Sequence, residues 1–331
     1  MNPIEKKVLG STGIEVTRLG LGCASLGGLY GDIPEQQAFE VVQRSLDLGM
    51  NLFDTAPLYG SGKSEVRLGK ALAGVPRDRY VLATKVGRVL VPEEVGGEDD
   101  RQSIFGDLPP FQPVFDFSYD GIMRSFEDSL KRLNVDRIDI LHIHDPDNHY
   151  DEAIQKACLA LHKLRSDGVI HGVSAGMNQW EMLANFAREG DFDCFLLAGR
   201  YSLLEQEALN ELFPLCLEKN IGIMLGGTYN SGILAKGAKQ GAKYNYADAP
   251  SEILKKARGL EAVAARHRVS LKAAASQFAL AHPAVTTIIP GTRVPDRVNE
   301  NLDLLQEEIP SDFWADLKAE KLIREDAPVP E

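Results

Sequence analysis

Residues 137–174, RIDILHIHDPDNHYDEAIQKACLALHKLRSDGVIHGVS, hold the arrangement that decides the fold. A β-rich run at 137–144 gives way to apolar residues at helical spacing over 151–165, then to a second β-rich run at 169–174. Strand, helix, strand in that order predicts two parallel strands joined by a crossover helix.

The unit repeats in both directions. Further strands are predicted at 19–23, 51–54, 80–84, 194–197, 221–225 and 285–289, eight in all, and helices at 34–48, 119–133, 205–218, 251–267 and 310–322. On 34–48 the apolar side is Ala38, Val41, Val42, Leu46 and Leu48, closed by Gly49 as a C-cap. Eight parallel strands at this length favour an α/β fold of the (β/α)8 barrel type over an open sheet. A doubly wound sheet would want a Gly-rich turn after its first strand, and Gly20-Leu21-Gly22-Cys23-Ala24-Ser25 lacks the third glycine of G-x-G-x-x-G. A hairpin is predicted ahead of the first strand, Lys7-Val8-Leu9 against Ile14-Glu15-Val16 about Ser11-Thr12-Gly13. No linker interrupts the alternation, so residues 1–331 read as one domain.

Residues 88–118 stand apart: acidic, Pro- and Gly-containing, without clear periodicity. A connection that long is a functional loop or a disordered one, and this one leaves the C-terminal end of a strand, the face where barrels keep their sites. Residues 237–249 form a second candidate lid.

The formal net charge is −12, which argues against a nucleic-acid or anionic-membrane partner. An anionic cofactor would need a local cationic site. Residues 1–10 lack the apolar core of a signal peptide, and no stretch approaches the ~18 apolar residues of a membrane span. Cys23, Cys158, Cys194 and Cys216 lie far apart, suggesting neither a zinc site nor a disulfide framework. A cytoplasmic protein with free thiols, no metal and a small-molecule substrate is the expectation; the oligomeric state is not readable.

Three polar residues close apolar strands: Asp54 ends the second, Lys85 the third and His144 the fourth. In a parallel barrel these ends converge, and Tyr59 follows Asp54 by a loop short enough to hang over the same mouth. A phenol of pKa about 10 is a poor acid or base near neutrality. A neighbouring ammonium favours the phenolate, a carboxylate keeps the ammonium charged, and an imidazole can hydrogen-bond the substrate oxygen. The set suits proton transfer coupled to hydride transfer. Taken singly, Asp54 could be a helix cap, Lys85 a solvated side chain and His144 a core histidine; their joint placement favours a site. His142 points to the same face but deeper, and reads as a packed core polar group. Two other classes stay open: a Schiff-base barrel acting through Lys85, which leaves Tyr59 unused, and a nucleotide-binding barrel without turnover.

The run Asn51-Leu52-Phe53-Asp54-Thr55-Ala56-Pro57-Leu58-Tyr59-Gly60, with Ser64-Glu65, Leu68-Gly69, Thr84-Lys85 and Val135-Asp136-Arg137-Ile138-Asp139 leading to His144, resembles the signature of the aldo-keto reductase superfamily. The similarity runs from about Leu9 to Asp303. It implies a barrel opened by a hairpin, holding an extended nicotinamide dinucleotide, with Tyr59 as general acid/base supported by Asp54, Lys85 and His144. It also implies cofactor contacts from Ser174, Gly226, Asn230, Gly232 and Leu234, and an adenosine pocket from Gly291, Thr292, Arg293, Arg297, Glu300 and Asn301. A helix beginning near Val294 would offer amides to a phosphate beside Arg293 and Arg297.

The chain departs from the family pattern in several places. Ala175 stands where asparagine is usual, Ala198 or Gly199 where Gln or Ser is common, and Gly226-Gly227 where an aromatic ring stacks on the nicotinamide. Asn178, Arg200 or Tyr201 are the candidate substitutes. Gly291 replaces a lysine common among NADP users, which favours NAD, with NADP possible through Arg297. The stretches 115–120, 144–147, 172–178 and 226–234 look like the aldose 1-dehydrogenase branch, which includes L-galactose and pyridoxal 4-dehydrogenases and oxidises cyclic hemiacetals to lactones. The expected substrate contacts are Tyr59, His144, Asp145, Trp180 and Tyr229.

Overall fold

The computed structural model describes residues 1–95, 105–106, 108–245 and 247–330. An antiparallel hairpin, β1 (Lys6–Val8) and β2 (Glu15–Thr17), opens the chain. Barrel strands β3 (Leu21–Gly22), β4 (Leu52–Asp54) and β5 (Val81–Val86) follow. A second antiparallel pair, β6 (Arg88–Pro92) and β7 (Phe111–Phe115), interrupts them. The barrel resumes with β8 (Ile140–His144), β9 (Gly172–Met177), β10 (Cys194–Ala198) and β11 (Gly222–Gly226). A short pair, β12 (Lys243–Tyr244) and β13 (Ala247–Asp248), precedes the last barrel strand, β14 (Val285–Ile288).

The eight barrel strands pair in parallel in chain order, β3-β4-β5-β8-β9-β10-β11-β14. Parallel bridges Leu19–Ile288 and Gly22–Gly291 join the last strand to the first, so the sheet closes. Strands covered on both faces are mostly apolar or small, and β5 and β9 are buried along their whole length, with Lys85 the charged exception near the end of β5.

Closure separates two cores. Leu52, Val81, Ala83, Ile140, Cys194, Leu196, Met224 and Ile289 fill the inside, together with Leu9 and Val16 of the hairpin. The hairpin therefore plugs the N-terminal end, each buried aliphatic side chain contributing about 1.5–3 kcal/mol. Its turn presses on the barrel: a Cβ on Gly10 (φ +54°) would meet Asp193 O at 2.0 Å, and the Ser11 hydroxyl donates to Asp193 Oδ1 at 2.7 Å. The larger core lies between the sheet and the surrounding helices.

The expected hairpin keeps its pairing, with Val8 opposite Glu15, and each strand lies one residue further from the turn. The fifth expected strand, 169–174, begins and ends later, at Gly172–Met177. Gly168 takes φ +71°, and the amides of Val169 and Ile170 turn back to Leu164 O, so these residues complete the helix end. The expected helix 205–218 splits into a turn at Glu207–Leu209 and a helix at Leu212–Glu218. Pro214 has no N–H to give an upstream carbonyl and is tolerated only in a first turn.

The segment 88–118, read as a functional or disordered loop, is ordered at both ends. Its two ends pair as β6 and β7, with Leu90 opposite Pro113. Pro92 and Pro113 obscure the alternation in the sequence, yet an isolated two-stranded ribbon tolerates proline on its outer edge. The middle of that loop, residues 96–104 and 107, lies outside the described residues.

Candidate active site

The ends of β4, β5 and β8 bring Asp54, Lys85 and His144 to one mouth. The Lys85 ammonium donates to Asp54 Oδ2 at 2.7 Å and to Thr55 O at 2.8 Å. Both members of this ion pair are buried, with side chains 1% and 2% exposed. Tyr59 lies over them: Lys85 Nζ is 4.8 Å from the centre of its ring, and the His144 ring meets it edge-on at 6.0 Å. Phe105 covers another side of Tyr59, with ring centres 6.1 Å apart.

Backbone packing positions Tyr59. Gly62 N and Tyr59 N donate to Pro57 O and Ala56 O, coiling the loop tightly. The coil rests directly on Gly27, where a Cβ would meet Tyr59 C and O at 2.5 Å. Glycine is required there by the close approach itself.

His142 is more than core filler. Its Nε2 lies 3.3 Å from Asp54 Oδ1, and its Nδ1 is 2.7 Å from Ser174 Oγ. Burial works to raise the Asp54 carboxyl, but Lys85 and His142 outweigh it and hold the group below the usual carboxylate range. Burial keeps His142 below the ordinary histidine value despite Asp54. A neutral imidazole suits this place, since it can present an Nε2 proton toward the carboxylate and accept from Ser174 on Nδ1. Burial likewise pushes the Cys23 thiol up, so Cys23 lines the mouth as a neutral thiol.

A cleft runs from Asp54 and Tyr59 to Arg293 and Arg297. Of the expected cofactor residues, Gly226, Asn230, Gly232, Gly291, Thr292, Arg293 and Arg297 line it. Leu234 is buried, Asn301 is buried in the helix Asp296–Gln306, and the Glu300 carboxylate takes the Lys272 ammonium. Ser174 is displaced from its expected place. Because β9 continues to Met177, Ser174 lies below the mouth, fully buried against His142. Asn178 reaches the cleft instead, its Nδ2 donating to Ala198 O at 2.7 Å. Arg200 and Tyr201, the other candidate substitutes, are turned elsewhere: Arg200 to Glu205 and Asn245, Tyr201 into a stack with Phe278.

The expected substrate residues also divide. Tyr59 and His144 face one another at the mouth. Tyr229 lines the cleft, but its hydroxyl is 2.8 Å from Ser276 Oγ, outside it. Trp180 begins the helix Trp180–Glu189, half-buried and packed against the outer core. The Asp145 carboxylate is engaged by Arg88 and His144. Sequence reasoning missed Ser25, Tyr30, Lys236 and Asn245, which also line the cleft; they fall in loops or in the short helical turns Cys23–Gly27 and Ile233–Lys236, too brief for periodicity to mark.

The donor set fits a dinucleotide. Lys236, Arg293 and Arg297 give one end positive charge, and the amides of the helix Asp296–Gln306 begin beside them. Glycine keeps the other end open: a Cβ on Gly226 would meet nothing nearer than 3.8 Å, leaving room for a flat ring against Leu196 and Ile289.

The model of the Aldo/keto reductase family matches residues 18–321. The chain belongs to that family and is an NAD(P)-dependent oxidoreductase. It is 40% identical to a pyridoxal 4-dehydrogenase of Microbacterium luteolum, over 96% of this chain and 98% of that one. It is 37% identical to a D-threo-aldose 1-dehydrogenase of a Pseudomonas species, over 95% and 96%. A solved aldo-keto reductase of Bacillus halodurans in its holo form superposes with a TM-score of 0.75 at 26% identity, covering 99% of this chain and 98% of that one.

Proposed function

We propose that this protein oxidises the C1 hemiacetal of an aldose such as L-fucose, L-galactose or D-arabinose to the lactone, using NAD. The observation that carries the reading is Tyr59 held over the buried Lys85–Asp54 pair at the inner end of the cleft, in a chain related along its length to an aldose dehydrogenase. When bound there, the nicotinamide supplies the hydride acceptor. Tyr59 takes the proton of the C1 hydroxyl as C1 loses hydride and its C–O bond becomes a carbonyl. Lys85 stabilises the Tyr59 phenolate that accepts this proton and becomes phenol, Asp54 keeps Lys85 charged, and His144 hydrogen-bonds the same substrate oxygen. Asn178 takes the carboxamide contact first expected of Ser174, and Gly291 in place of lysine favours NAD over NADP.

A second reading is pyridoxal, which exists largely as a cyclic hemiacetal open to the same chemistry. The 40% identity to a pyridoxal dehydrogenase and the aromatic Phe105 beside Tyr59 favour it. The deciding experiment follows reduced-nicotinamide absorbance across aldoses and pyridoxal with NAD and NADP, with lactone identified by mass. Sugar-dependent reduction of NAD with lactone formation supports the first reading, and the same with pyridoxal alone supports the second. Brisk NADPH-dependent reduction of simple aldehydes, with neither hemiacetal oxidised, overturns both.

A further inference from the structure

We infer that Asp145, clamped by Arg88, is a positioning residue for His144 rather than a substrate contact. The inference rests on His144 acting at the substrate oxygen. Gly87 (φ +96°) turns the chain away from β5, and Arg88, the first residue of β6, swings back across the mouth, almost wholly buried. Its guanidinium donates to His144 O at 3.1 Å and lies 3.4 Å from Asp145 Oδ2. It also stacks at 4.4 Å on the ring of Phe115 in β7. The same Asp145 oxygen is 3.4 Å from His144 Nε2.

One carboxylate oxygen thus sits between a guanidinium that cannot give up its charge and an imidazole whose hydrogen bonding it can direct. Asp145 reaches that place by adopting φ +43°, an unfavourable conformation for a side chain with a Cβ, held by its amide donating to Gly176 O at 3.0 Å. Backbone strain next to a proposed catalytic imidazole, kept by a buried arginine, marks a geometry the surroundings impose. The clamp has a second consequence. Arg88 lies three residues after Lys85, so the strand bearing the ammonium and the strand bearing the imidazole are tied together at the base of the β6–β7 ribbon.

Asp145→Asn and Arg88→Lys test this, because both keep the shape of the clamp while weakening its charge or its fork. Turnover is measured with whichever carbonyl or hemiacetal the wild type uses. The expected result is a kcat lower by about tenfold to a hundredfold, short of the ~10²–10⁴ cost of losing a proton-transfer group, with KM and NAD(P) affinity within about twofold. Nitrogen-15 NMR of the imidazoles, with His144 assigned from His144→Asn, should show its ring signals shifted in Asp145→Asn without any substrate present. That signature is independent of which substrate is right, so it separates failure of this inference from failure of the proposed function. Unshifted His144 signals would overturn it, and so would a rise in KM with kcat preserved, which would place Asp145 on the substrate.

Discussion

Replacing Asp54 by Asn keeps the shape of the side chain and removes the charge that faces the Lys85 ammonium. At 2.7 Å, two unit charges in an effective dielectric of about 20 attract by roughly 6 kcal/mol. Most of that attraction offsets the cost of taking both groups out of water, so the intact pair adds little net stability. Removing one partner exposes the cost. Asp54→Asn leaves the buried ammonium with neutral acceptors only, Thr55 O and the amide oxygen, and the expected loss is about 3–5 kcal/mol. Lys85→Met leaves the carboxylate with His142 Nε2 at 3.3 Å.

His142 is held neutral by burial first, and by Lys85 as well. Without Lys85 the depression of its pKa is smaller, so the folded variant falls behind the unfolded chain in proton binding by less than wild type does. Wild type therefore loses more stability than the variant as pH falls, and Lys85→Met should cost less at pH 6 than at pH 8. The double variant has neither charge, and its cost should fall short of the summed single costs by about 2–3 kcal/mol. Urea unfolding of the four proteins at the two pH values measures all of this. Additivity within about 0.5 kcal/mol, or a cost of Lys85→Met that does not change with pH, would mean that Lys85, Asp54 and His142 are not coupled.

Arg297→Ala should weaken NADP by about 1.5–3 kcal/mol and leave NAD almost unchanged, read by fluorescence titration; equal losses would place Arg297 on the pyrophosphate. His282, buried against Tyr201 and Phe213 and accepting the Ala284 amide on Nδ1, has its pKa lowered to about 4. The unfolded chain therefore binds the extra proton first, and stability should fall by about 2–3 kcal/mol as pH drops from ~6.5 toward 4; His282→Asn should flatten that part of the pH–stability curve.

The barrel was legible because each strand is an apolar run between turn signals, and Asp54, Lys85 and His144 were legible because a charge at the end of such a run is conspicuous. What escaped depends on pairing. Ala175, Gly176 and Met177 carry little strand propensity, yet Gly176 lies between His144 of β8 and Leu196 of β10, and the ladder makes strand of it. Those three residues move the rim from Ser174 to Asn178. His142 was placed correctly as deeper than His144, but its contact with Asp54 follows from the stagger of β4, β5 and β8, which no local pattern encodes. Arg88 escaped for a similar reason: its partners His144 and Asp145 are 56 and 57 residues away.

The central claim is that Tyr59 carries the proton while the cleft binds the dinucleotide independently of it. Tyr59→Phe tests this by stopped-flow absorbance at the reduced-nicotinamide band, with NAD(P) affinity titrated in parallel. Turnover should fall by about 10²–10⁴ or more at unchanged cofactor affinity. A hydride-transfer rate close to wild type in this variant would contradict that role for Tyr59.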